Sequence, residues 1–337
     1  MADVRLLSRA ILAGERAALS RGISLVESRL TTQREAARML LKHVLPQRSA
    51  SASLRIGVSG PPGTGKSTLI EALGGVLLDR GHRLAVLAID PSSHRTGGSV
   101  MGDKTRMPRL AADRRAYIRP SPSQGTLGGV ARRTEEAALL CECGGYDRVI
   151  VETVGVGQSE VAVAGMTDMF VLLVPPSSGD GLQGIKRGIM EMADAVIVTK
   201  CDGQLEPAAL SVARDLRAAL KLFRPRLRSW RPSVMTSSSF DRESTLKVAD
   251  LIEEFHATTK ASGDLVRRRE EQALRAIWDH ACAEVLERLP SIHGVDELVR
   301  RYARESATGD TSPSLAADAI ASYVLRSASH APDVGQS

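Results

Sequence analysis

Gly60-Pro61-Pro62-Gly63-Thr64-Gly65-Lys66-Ser67 has the spacing G-x4-GK[ST], the pattern of a loop that wraps phosphate oxygens. Its glycines let successive backbone N–H groups turn inward, and a helix that begins at Gly65 adds the positive end of its dipole. In such a loop Lys66 neutralises charge on the outer phosphates, the Ser67 hydroxyl ligates Mg²⁺, and Thr68 reaches the innermost phosphate. Gly60, Gly63, Thr64 and Gly65 supply the turning backbone. Three acids stand at strand ends or on the loop after one: Asp90, Asp103 and Glu152. A parallel sheet gathers ligands at its carboxyl edge, so these acids with Ser67 form a candidate Mg²⁺ set of hard oxygen donors.

A second group of residues has the chemistry to read a base. Thr199-Lys200-Cys201-Asp202 follows an apolar run that ends at Thr199, the placement of an [N/T]KxD element. A carboxylate at Asp202 accepts two hydrogen bonds from guanine, from N1–H and the exocyclic amine, whereas adenine offers no such donor pair. The Lys200 stem covers one face of the base, and Ser237-Ser238 stand where a backbone N–H meets guanine O6. Thr199 occupies a position where Asn is usual and offers fewer hydrogen bonds to the phosphate loop.

These groups require a frame that delivers them to one edge. From residue 54 onward, short β-rich runs alternate with helical patterns: 54–59, a helix from 65 to about 80, a run ending at Asp90, a helix over about 126–143, then runs 147–152, 168–174 and 194–199. A helix over about 205–221 and the run 233–237 complete the alternation, and beyond it only helices are read, over 244–260, 264–288, 294–305 and 313–327. Alternation of this kind predicts an α/β fold, a P-loop NTPase with a mostly parallel doubly wound sheet, plus helical extensions at both ends. The expected division is a helical extension over 1–52, a nucleotide domain over 53–262, a helical dimerisation region over 263–328 and a disordered tail over 329–337.

Composition narrows the partners. The 337 residues carry 45 Lys and Arg against 39 Asp and Glu, a net charge of +6, with aromatics at 3%. Interspersed charge and few stacking platforms speak against nucleic acid. The longest apolar stretches fall far short of the roughly 20 residues of a membrane span, and the N-terminus lacks an apolar leader core, so a cytoplasmic address is expected. The four cysteines, Cys141, Cys143, Cys201 and Cys282, have no disulfide or metal spacing, and Cys141 and Cys143, two apart on a helix, do not face each other.

Three longer segments carry a resemblance. Glu152 to Glu160 (ETVGVGQSE), GGSVMGDKTRM over 97–107 and GDGLQGIKRGIMEMAD over 179–194 closely resemble the MeaB/ArgK/methylmalonic aciduria type A protein family, and the likeness covers nearly the whole chain. The resemblance implies a Mg²⁺-dependent GTPase that turns GTP into GDP and phosphate. It implies a chaperone role toward an adenosylcobalamin-dependent acyl-CoA mutase, gating cofactor delivery and protecting or reactivating the mutase. The cobalamin belongs to the mutase rather than to this chain. Methylmalonyl-CoA mutase and 2-hydroxyisobutyryl-CoA mutase are the clients it suggests, with an adenosyltransferase as a further partner and a homodimer formed through the C-terminal helices.

Carried onto this sequence, the resemblance assigns Ser67, Asp90, Asp103 and Glu152 to Mg²⁺, 97–107 to switch I and 155–160 to switch II. A third nucleotide-responsive segment falls at about 177–188, where Gln183 and Lys186 match residues tied to partner-stimulated hydrolysis. Thr199, Cys201 and the Pro175-Pro176-Ser177-Ser178 run depart from the family pattern. The rival reading is a GTPase metallochaperone for a nickel enzyme, opposed by the absence of a His-rich or Cys-rich loop in the sequence.

Overall fold

The computed structural model describes residues 2–28, 30–47, 53–90, 106–122, 127–153, 159–176 and 187–329. Its centre is a seven-stranded sheet formed by β1 (Leu54–Ser59), β2 (Leu84–Asp90), β3 (Ala116–Pro122), β4 (Arg148–Thr153), β5 (Met169–Val174), β6 (Ala195–Val198) and β7 (Ser233–Thr236). The order is β3-β2-β4-β1-β5-β6-β7, and every pairing is parallel. β1 lies between β4 and β5, so the chain leaving β1 emerges where crossovers diverge to the two sides, the crevice in which open parallel sheets bind ligands.

Period-2 alternation explains how the strands are buried on both faces. Leu54, Ile56 and Val58 of β1 join Met169, Val171 and Leu173 of β5 in a core with Leu69, Leu73 and Leu77 of the helix Lys66–Asp79 and Ile252 and Phe255 of the helix Arg242–Ala261. The intervening residues Phe170, Leu172 and Val174 pack on the opposite face with Val163 of the helix Ser159–Met166 and with Ala209, Ala213 and Leu216 of the helix Glu206–Leu220. A strand with two covered faces reads largely as an apolar run, and the polar residues it does carry, such as Arg55 of β1, are paired where they are buried.

The N-terminal segment forms the helices Ala2–Leu12, Arg16–Glu27 and Thr31–Val44. Ile11, Leu19, Ile23, Leu40 and Val44 share a core with Ala85, Leu87 and Val149 of the sheet and Leu140 of the helix Leu127–Cys143, so this segment adds a layer to the sheet. Cys141 and Cys143 lie in the same core outside any disulfide, Cys143 Sγ donating to the Val44 carbonyl at 3.7 Å, and burial pushes the Cys141 thiol far above its ordinary range.

Buried charge clusters at the amino edge of the sheet. Arg55 holds Glu142 through Nε at 2.9 Å and Nη2 at 2.8 Å, and Ser53 Oγ donates to the same carboxylate at 2.7 Å. Asp168, just before β5, accepts from the Arg55 backbone N–H at 2.8 Å and from Arg269 Nε at 2.7 Å. Asp194, just before β6, accepts from the Phe170 backbone N–H at 2.8 Å and from Arg268 Nη1 at 2.9 Å. The helix beginning at Asp264 is thereby riveted to the starts of two strands.

Contacts divide the chain into compact units at 274/275. The second unit holds the rest of the helix Asp264–Arg288 with Val295–Thr308 and Pro313–Ser329; inside it Tyr323 Oη donates to the His293 carbonyl at 2.9 Å. Ile277, Trp278, Val285, Leu286, Val299 and Leu315 of this unit are exposed. Among the described residues no helix is long and apolar enough to cross a membrane.

Two features escape the sequence patterns. β3 was not expected: its apolar part is only Ala116, Tyr117 and Ile118, and Pro120 and Pro122 are tolerated because it pairs with β2 alone at the sheet edge. The helices Pro108–Ala112, Ser159–Met166 and Arg187–Met192 are too short to display a 3.6-residue period. The 97–105 part of switch I, residues 155–158 of switch II, positions 177–186 of the third segment and the tail from 330 lie outside the described residues.

Candidate functional site: the nucleotide edge

β1 delivers the chain to its loop at Ser59 and forces a glycine next. A Cβ at Gly60 would lie 2.4 Å from the Leu173 carbonyl oxygen, so any side chain would push the loop off β5. Gly65, with φ of 85°, adopts the left-handed conformation that turns the loop into the helix beginning at Lys66. Lys66 is buried, and its Nζ donates to the carbonyls of Gly60 at 2.7 Å and Pro61 at 3.1 Å, folding the ammonium over the mouth of its own loop. Burial lowers its pKa from the ordinary 10.5, against the opposing pull of Glu152 and Glu160 and with a smaller push from Arg106. Thr64 Oγ1 donates to the Pro61 carbonyl at 2.9 Å, so this side chain shapes the loop; Thr68 is exposed.

On the adjoining strand, Glu152 shares the face of Ile150 and therefore points toward the helix Lys66–Asp79. Ser67 Oγ donates to Glu152 Oε1 at 2.9 Å. A hydroxyl and a carboxylate brought together beside the phosphate loop are hard oxygen donors of the kind Mg²⁺ takes, so these two residues fit the ion. Asp90 ends β2, but its side chain, like all of Asp103, Gln183 and Lys186, lies outside the described residues.

The base side is tied directly to the phosphate side. Thr199 Oγ1 donates to the Thr64 carbonyl at 2.7 Å and also approaches that of Val174 at 3.3 Å. Threonine at this position thus retains the link to the phosphate loop that its shorter side chain put in question. Lys200 has a φ of 56°, a left-handed backbone uncommon outside glycine, which turns the chain sharply after β6 and leaves Lys200 and Asp202 exposed. The Cys201 N–H donates to the Ser237 carbonyl at 3.2 Å, joining this turn to the one after β7.

Ser238 reaches the site by a different group from the one expected. The Ser237 N–H donates to the Val198 carbonyl at 2.8 Å and the Ser238 N–H to Ser244 Oγ at 3.0 Å, so both amides are engaged within the chain. The Ser238 hydroxyl instead donates to Asp202 Oδ2. It holds the Asp202 carboxylate in place.

Glu160 is a site residue that sequence reasoning left without a role. It is the last residue of the second-switch run and lies in the first turn of the helix Ser159–Met166, is 3% exposed, and accepts from Ser59 Oγ at 3.3 Å, while Thr153 Oγ1 donates to Ser59 Oγ at 2.8 Å. Its Oε2 is buried without a hydrogen-bond partner among the described residues. An acid in the first turn of a helix reads from sequence as a favourable dipole contact, and only the fold places it behind the phosphate loop.

A parallel doubly wound sheet with a glycine phosphate loop after β1, an oxygen pair at Ser67 and Glu152 and an exposed carboxylate beyond β6 defines a P-loop GTPase. Among known families, the one described as Methylmalonyl Co-A mutase-associated GTPase MeaB matches residues 19–293. The chain is 48% identical over 318 residues to the mitochondrial methylmalonic aciduria type A homolog of Mus musculus, covering 92% of this chain and 77% of the relative. It is 42% identical to the GTPase ArgK of Escherichia coli, over 87% of this chain and 88% of that one. A solved structure described as LAO/AO transport system kinase superposes with a TM-score of 0.76 at 34% identity, covering 96% of this chain and 98% of that one. The chain belongs to the MeaB family of mutase-associated GTPases.

Proposed function

We propose that this GTPase is a nucleotide-controlled chaperone of an adenosylcobalamin-dependent acyl-CoA mutase, gating delivery of the cofactor and protecting or reactivating the enzyme. The observation that carries the reading is the family match over residues 19–293, which spans the whole nucleotide edge. Methylmalonyl-CoA mutase is the first client and 2-hydroxyisobutyryl-CoA mutase the second. The protein works in the cytoplasm as a homodimer through its C-terminal helices, alongside an adenosyltransferase.

The chain's own residues account for the chemistry. Backbone N–H groups over residues 60–68 hold the phosphates, and Lys66 leaves the Gly60 and Pro61 carbonyls to meet β- and γ-phosphate oxygens. Ser67 and Glu152, joined by Asp90 and Asp103, hold Mg²⁺, which when bound offsets charge on the phosphates. Asp202 and Lys200 select and cover guanine. Gln183 and Lys186 serve hydrolysis once the mutase is engaged, so turnover is slow alone and accelerated in the complex.

Hydrolysis of GTP and ATP with Mg²⁺, alone and with a panel of purified acyl-CoA mutases, tests this reading. Slow GTP hydrolysis accelerated by one mutase supports it and names the client. Equal use of ATP, or no acceleration by any mutase, contradicts it.

A further inference from the structure

Phe240 is 88% exposed, the most exposed large apolar side chain among the described residues, and it stands two residues beyond Ser238. Single exposed apolar residues are ordinary on a protein surface, but this one is held where it is by the site's own hydrogen bonds. The Phe240 N–H donates to Ser238 Oγ at 3.2 Å, and that same hydroxyl donates to Asp202, so the backbone of Phe240 is one hydroxyl away from the base-reading carboxylate. On its other side Asp241 caps the helix Arg242–Ala261, accepting from the N–H groups of Glu243 at 3.0 Å and Ser244 at 3.1 Å. Pinned at both ends, the turn carries an exposed ring on a backbone tied through Ser238 to Asp202, while the aromatics Trp230 and Phe255 are packed inside.

We propose that Phe240 is a base-contacting residue whose ring packs against the purine of the bound nucleotide. The proposal rests on the reading of the Asp202 turn as the guanine-recognition element. Division of labour follows from the chemistry of the two groups. A carboxylate discriminates by counting donors, whereas an aromatic ring binds any purine face and adds affinity without identity. Lys200 offers an aliphatic stem from the turn after β6; Phe240 offers a ring from the turn after β7, and the Ser238 hydroxyl couples the two turns. An exposed ring is also a natural sensor, because covering it removes apolar surface from water only when a base is present.

The test compares Phe240→Ala and Phe240→Trp with the parent chain, measuring binding of GDP and of inorganic pyrophosphate by calorimetry. The side chain is exposed, so melting temperatures are expected to be unchanged. Phe240→Ala is expected to weaken GDP binding about 5- to 150-fold, the range of base–aromatic stacking, and to leave pyrophosphate binding within twofold. Phe240→Trp is expected to bind GDP within about threefold of the parent, with a change in indole emission on addition of GDP but not of pyrophosphate. GDP binding by Phe240→Ala within twofold of the parent overturns the proposal. So does equal weakening for pyrophosphate, which would place the effect at the phosphate loop. A parent chain that binds pyrophosphate but not GDP would instead overturn the guanine reading of Asp202.

Discussion

Lys66 is the residue whose surroundings matter most, because its charge is contested before any nucleotide arrives. Burial works against the ammonium, and Glu152 and Glu160 work for it, leaving its pKa below 10.5. A lysine whose folded pKa is lowered loses its proton as pH rises through that lowered value, and with it the attraction for phosphate. GDP affinity is therefore expected to fall on the alkaline side at a pH below 10.5. Glu160→Gln removes one of the two supporting charges, so the midpoint of that fall is expected to move to lower pH, read by calorimetric titration at successive pH values. An unmoved midpoint would show that Glu160 positions Ser59 without influencing Lys66. At the base, Asp202→Ala is expected to weaken GDP by about 10- to 100-fold, as loss of hydrogen bonds to a charged acceptor does, and to erase the preference for GDP over ADP. Both titrations report it.

At the scale of elements, the nucleotide edge depends on strands whose opposite ends are fastened by buried ion pairs. Asp168 is fully buried, which raises a carboxyl's pKa, yet the hydrogen bonds and charge of Arg269 and Arg55 hold it below the ordinary 3.8. A carboxylate with a depressed folded pKa stabilises the fold above its unfolded value, and that contribution disappears as pH falls through the folded value. Asp168→Asn is expected to destabilise by about 3–5 kcal/mol at pH 7, because it takes from the largely buried Arg269 guanidinium the carboxylate that offsets its charge, while Arg55 keeps Glu142. The gap between variant and parent should narrow below about pH 4, as the parent protonates. Denaturant melts at pH 7 and pH 3 measure both; a gap that stays constant with pH would exclude the ionised pair.

Much of this was legible in the sequence. Strands buried on two faces announce themselves as apolar runs, and the phosphate loop carries its mechanism in its glycines. Less legible were contacts whose partners are far apart in the chain. The bond from Thr199 to Thr64 spans 135 residues, and nothing local marks Glu160 as a neighbour of Ser59 or Ser238 as a partner of Asp202. The edge strand β3 stayed hidden because prolines, permitted where one side lacks a ladder, break its pattern.

For the whole molecule, the C-terminal unit carries Ile277, Trp278, Val285 and Leu286 exposed along one helix, apolar surface that a homodimer would cover. Paired Trp278→Glu and Leu286→Glu substitutions are expected to give a monomer by sedimentation while leaving GDP affinity unchanged. A dimer that persists would move the interface elsewhere. Coupling between nucleotide and client is reciprocal: whatever the mutase does to affinity for GTP relative to GDP, the nucleotide must do to affinity for the mutase. The most direct measurement is therefore the dissociation constant of the chain for its client mutase in the presence of GDP and of a non-hydrolysable GTP analogue. A difference of about fivefold or more, abolished in Asp202→Ala at the same nucleotide concentrations, is the expected result. Equal affinity in the two nucleotide states would contradict a nucleotide-controlled chaperone.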